Sequence, residues 1–158
     1  MRYTAIASST LLLMLFLLPV SEGGGLSEVN EIPLSKHLRR LLSAEMNAVQ
    51  NGMSNLSIAV PAGHWSDISK TAKIMNQGYL MKKKLSKKQW EEFYRSLPPG
   101  YREIDREFHK AAGLLEKAAG EQDVEGVNAY VCRLNESCVK CHSKYAKKRF
   151  SGFKKIIQ

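Results

Sequence analysis

The sequence predicts an all-α protein, an antiparallel four-helix bundle, on three observations. Apolar residues recur at three and four positions over four long stretches. The breaks between those stretches are short and hold Pro and Gly. No stretch alternates apolar and polar residues as a strand would.

The chain opens with a segment of another kind. Arg2 precedes a nearly unbroken apolar run over residues 11–20, and residues 21–25 are small and polar apart from Glu22. This is the pattern of a secretory signal peptide, whose apolar core is too short for a comfortable membrane span. Cleavage after Gly23 divides the chain into a signal over 1–23, a flexible segment over 24–33, the helical domain over 34–148 and a basic, loosely docked tail over 149–158. An uncleaved anchor is the alternative. Either way the domain is expected outside the cytoplasm, in the periplasm, with no membrane span after signal removal. The formal charge is +9, with lysines clustered at "MKKKLSKK" and near the C-terminus. Export disfavours nucleic acid as a partner. The charge fits either solubility or attraction to an acidic partner.

Ser35 is a candidate N-cap for the first helix, in which Leu38, Leu42, Val49, Met53, Leu56 and Val60 share a stripe and residues 61–63 form the stop. The second helix buries Trp65, Ile68, Ala72, Met75 and Leu80. A basic loop, a short amphipathic segment around residues 90–94 and a Pro-Pro-Gly stop follow. Ile104, Phe108, Ala111, Ala112, Leu115 and Ala118 define the third long helix, which Gly120 is expected to close. The fourth runs from about Asp123 to about Lys148 and contains the stretch "NESCVKCHSKYAKK".

Cysteines are three in number, Cys132, Cys138 and Cys141. An odd count is wrong for a disulfide framework. On a helix, Cys138, Cys141 and His142 stand three and four apart and so share a face. Two thiols beside an imidazole are what covalent haem requires: two thioether bonds and an axial nitrogen for the iron. A zinc site would need a ligand from elsewhere, and there is no second cysteine pair. A thiol–disulfide oxidoreductase places its Cys-x-x-Cys at a helix N-terminus. A disulfide within a continuing helix is strained. Cys132 is then a spare thiol, expected as a small buried apolar residue.

From about residue 34 to residue 148 the chain resembles the class II cytochromes c, the cytochrome c′ superfamily. The resemblance rests on the terminal "CVKCHSKYAKK", with Tyr145 three residues after the histidine, and on "EFHKAAGLLEKAAGEQD" as the third helix. It implies a four-helix bundle with one haem c on the C-terminal helix and His142 as proximal ligand. One departure stands out: the family's basic residue directly after the aromatic is here Ala146, with Lys147 next. The first helix is implied to cover the distal face. There Arg39, Met46 and Met53 fall in one row, seven apart. Met46 is expected as distal ligand, with Met53 and His109 as weaker candidates, and Arg39 could pair with a propionate. Phe108, Tyr145 and Trp65 are candidate pocket walls, although such residues are ordinary core at helical spacing. His37 and His64 are expected to be exposed.

The functional expectation is an electron carrier rather than an enzyme: a periplasmic cytochrome of low-spin His/Met type that docks an acidic redox partner. The alternative is a five-coordinate haem that binds nitric oxide or carbon monoxide. A peroxidase-like activity would need a distal acid or base, for which His109 and Glu45 are the nearest candidates. Family members often dimerise through their first two helices, so a homodimer is also in view.

Overall fold

A computed structural model describes residues 32–155. The expected signal peptide and most of the segment before the domain lie outside the described residues. Ser35 opens α1, Lys36–Ala59, with its hydroxyl accepting from the Leu38 amide at 3.3 Å. The buried line of α1 is Leu38, Leu41, Glu45, Gly52, Leu56 and Ala59. The expected line is thus turned slightly: Leu42, Val49, Met53 and Val60 flank it, half-buried. Gly63, at φ 65°, makes the turn into α2, Trp65–Gln77. Gly78, at φ 79° and buried, ends α2 in a conformation that residues with a Cβ avoid.

The expected basic loop holds structure of its own. It contains the single turn α3, Met81–Lys84, and the amphipathic segment expected around residues 90–94 forms α4, Lys87–Ser96. A capping box starts α4: Gln89 N–H donates to the Ser86 hydroxyl at 3.3 Å, and Ser86 N–H donates to the Gln89 side chain at 3.0 Å. The Pro-Pro-Gly expected as a stop is also a start. Pro98 is the N-cap and Pro99 the first residue of α5, Pro99–Gly120, where its missing N–H costs nothing. Gly120 does not close α5 as expected; Glu121 is the C-cap, and Gln122 turns the chain at φ 55°. Asp123 caps α6, Val124–Tyr145, accepting from the Gly126 amide at 3.0 Å.

All described regular structure is helical. The long helices pack α1 on α2, α2 on α5 and α5 on α6. Two cores divide the molecule. The first joins the C-terminal part of α1, α2, the C-terminal part of α5 and the N-terminal part of α6 around Leu56, Ile68, Met75, Leu115, Val127 and Leu134, each at most 1 % exposed. Ala72, Ala111, Ala112, Ala118 and Ala119 line it and let the backbones approach closely. The second joins the opposite ends of α1, α5 and α6 to α3 and α4 through Leu38, Leu41, Met81, Phe93, Leu97 and Tyr101. Ile32 is buried there too, so the last residues of the expected flexible segment are docked. The sharing of ends means that α1 and α5 run in the same direction and α6 in the opposite one. No helix among the described residues is long and apolar enough to cross a membrane.

Candidate haem-attachment site and its cavity

Cys138, Cys141 and His142 occupy the last two turns of α6. All three cysteines of the chain are free thiols. Cys141 packs against the second core with Tyr145, whose ring meets Tyr101 edge-on at 5.5 Å. Burial, with the neighbouring Cys138 and Asp105 adding to it, pushes the Cys141 thiol up to about 12. Cys138 is also raised by burial. His142 is shifted the other way: burial, and then the Arg149 cation, lower its basicity and favour the neutral ring, the form in which imidazole binds a metal.

Near this face lies a small cavity of about 60 Å³, below the size of a preformed ligand site. Leu42, Met46 and Val49 of α1, Met75 of α2, Met81 and Phe93 form apolar wall, and α5 contributes Tyr101, Asp105, Phe108 and His109. Tyr101 and Asp105 link the two features, because both line the cavity and both stand within electrostatic reach of Cys141. Of the row on α1, Met46 alone reaches this wall. Met53 packs against the first core instead, and Arg39 is exposed and not part of the wall. Trp65 also belongs to the first core, so it is not a wall of this site.

Polar groups in the wall have assigned work. Glu45, 8 % exposed, accepts from the amides of Tyr79 at 2.7 Å, Leu80 at 2.5 Å and Met81 at 3.0 Å. It fastens the start of α3 to α1, and so is not poised as a distal acid or base. His109 turns inward: its Nδ1 donates to the Met75 carbonyl at 2.9 Å, and its Nε2 lies 3.7 Å from Asp105 Oδ1. Burial raises the Asp105 carboxyl, against the opposing pull of His109 and Lys82.

Sequence reasoning missed three things here. Cys132, expected buried, is exposed, its Sγ 3.9 Å from Glu136 Oε1. Its offsets of five residues from Val127 and two from Leu134 put it on the face of α6 opposite that buried line, which the spacing would have signalled. Nothing local marked the buried role of Glu45, because its partners lie 34 to 36 residues on. The tail, expected to be loosely docked, folds back so that Phe150 stacks on His142 at 4.0 Å. Arg149 is thereby the basic residue near the imidazole, the position that Ala146 leaves without a cation.

Charge is divided between the two ends. Lys82, Lys83, Lys84, Lys87 and Lys88 are exposed around α3 and the start of α4, and Lys82 borders the cavity. At the opposite end Asp67, Glu116, Glu121, Asp123 and Glu125 outnumber Lys70, Lys73 and Lys117.

No family model, curated protein or solved structure matches the chain. Among the described residues, no three His, Cys, Asp or Glu side chains converge to hold a bare metal ion. The donor set fits a group that brings most of its own ligands: two free thiols, one neutral imidazole, and an adjoining apolar cavity with a thioether in its wall.

Proposed function

We propose that this chain is an exported monohaem c-type cytochrome of the cytochrome c′ type, an antiparallel four-helix bundle that carries electrons. The observation that carries the reading is that Cys138, Cys141 and His142 share the end of α6, where Cys141 stands within electrostatic reach of Tyr101 and Asp105 in the wall of the Met46 cavity. Cys138 and Cys141 hold the haem covalently, and His142 offers a neutral nitrogen as proximal ligand. The bound haem would supply a one-electron couple, raised in potential by a Met ligand relative to a nitrogen one. Met46 is the favoured distal ligand because it is the thioether of the expected row that lies in the wall. Phe93, Phe108 and Tyr101 exclude water, and Tyr145 braces Tyr101. The engagement of Glu45 with three amides supports a carrier over an enzyme. The lysines at the cavity rim suit an acidic redox partner, docked weakly and quickly.

The test is an optical spectrum of the haem-loaded chain, oxidised and reduced, with and without carbon monoxide, beside Met46→Ala and His109→Ala. A low-spin spectrum indifferent to carbon monoxide and lost in Met46→Ala supports the His142/Met46 carrier. Loss in His109→Ala alone moves the distal ligand to α5. A high-spin spectrum that responds to carbon monoxide in the parent chain makes it a gas binder. Cys138→Ser with Cys141→Ser abolishes covalent haem in each case.

A further inference from the structure

The chain after α6 makes a contact that haem attachment itself does not require. Ala146 leaves helical geometry at φ −136°. The amides of Arg149 and Phe150 both donate to the Ala146 carbonyl at 3.0 Å, so the chain doubles back within one turn. The 3₁₀ turn Ser151–Lys155 continues it, with Phe153 N–H donating to the Phe150 carbonyl at 3.2 Å. This brings the Phe150 ring face to face with the His142 imidazole, centroids 4.0 Å apart and planes inclined by 11°. The Arg149 guanidinium lies 5.7 Å from the centre of the same Phe150 ring.

Phe150 is not core filling. It is half-buried and belongs to neither apolar core. What it has is a flat partner whose orientation matters. The terminal torsion of a histidine is broad and roughly two-fold, so rotamer preference leaves the ring plane loosely set. A parallel ring at stacking distance removes that freedom. Groups that orient a metal-binding histidine act on its chemistry as well as its position.

We infer that Phe150 is a positioning residue for the proximal ligand, fixing the plane of the His142 ring and holding the Arg149 cation beside it. The inference rests on the haem reading and adds to it. Its consequences have a definite sign. A cation near the iron favours the reduced form, which carries less positive charge, so losing Arg149 lowers the reduction potential. Losing the Phe150 ring frees the imidazole plane and loosens Arg149 at once.

The experiment compares the haem-loaded parent chain with Phe150→Leu, Phe150→Tyr and Arg149→Gln, folding being checked by far-ultraviolet circular dichroism. Ferric electron paramagnetic resonance and an equilibrium redox titration are the readouts. Expected for Phe150→Leu are displaced or broadened g-values and a lower potential, with both restored in Phe150→Tyr. Arg149→Gln lowers the potential and leaves the g-values in place. Folded variants that all reproduce the parent spectrum and potential overturn the inference. A chain that takes up no covalent haem overturns the carrier reading instead. The His142 ring-proton shifts of that haem-free chain then judge the stack alone: upfield displacement abolished by Phe150→Leu upholds it, and unchanged shifts overturn it.

Discussion

The two ends of this molecule are built on opposite plans. The first core is aliphatic and small-residue, with Leu56, Ile68, Ala72, Ala112, Leu115 and Leu134 at 0 % exposure and no charged group among its buried members. The second is aromatic, admits the Glu45 carboxylate and the Cys141 thiol at its margin, and borders a small cavity of about 60 Å³. α1, α5 and α6 serve both ends, whereas the core residues of α2 belong to the first alone. The difference is that α1 and α6 are bridged at the second end by α3 and α4 and by aromatic rings, rather than by close aliphatic packing. One end is closely packed and apolar, and the other leaves a small cavity among aromatic and polar groups.

The largest expected expression of this contrast is kinetic. In the haem-free chain, Cys132 is exposed while the Cys141 thiol is raised to about 12. Each unit of that rise removes about tenfold of the reactive thiolate, so alkylation of Cys141 at pH 8 should be ~100-fold slower or more, as read by mass spectrometry of partially alkylated protein. Equal rates would mean that the second end is open.

Truncation gives the next effect. Leu115→Ala, in the tight core, should cost about 2–5 kcal/mol in urea unfolding. The same change at Leu97 should cost less, because half-buried neighbours such as Leu85 and Trp90 can settle into the gap. Equal costs would erase the distinction between the ends.

Glu45→Gln probes the clasp between α1 and α3. It keeps the shape but loses the charge, and its amide group turns an N–H toward one of the three donors. A loss of about 1–3 kcal/mol is expected, with faster hydrogen exchange at Tyr79, Leu80 and Met81. The smallest effect is Asp105→Asn. Burial raises the folded-state carboxyl, so the folded chain holds the proton more tightly than the unfolded one. Its contribution to stability is therefore present at low pH and lost as pH rises through the folded-state value. Asp105→Asn should raise the urea midpoint slightly at pH 7 and leave it nearly unchanged at pH 4.

Four long helices, the Ser35 cap and the main buried residues of α2 and α5 were legible in the sequence, because they depend on spacing and on neighbours within one turn. The shared face of Cys138, Cys141 and His142 was legible for the same reason. What local pattern could not supply were pairings across distance. Glu45 reads only as a candidate distal acid or base until the Gly78 turn brings three amides to it. His109 reads as polar until Met75 of α2 offers a carbonyl. Phe150 reads as tail until the Ala146 turn returns it to α6. The first part of the charge-rich excursion was expected as loop because its lysines mask Met81, and the amphipathic segment around Phe93 acquires its partner once a second core exists to receive it.

The uneven distribution of charge has a consequence for how the molecule travels. α5 and α6 are each 22 residues long, about 33 Å at the rise of a helix. At physiological salt a charge is felt over about 8 Å, so the lysine-bearing pole and the acidic pole act as separate objects. Near a negatively charged surface, one pole is drawn in and the other turned away, and the molecule rotates before anything touches. The end that carries Cys138, Cys141 and His142 is then the one turned toward such a surface.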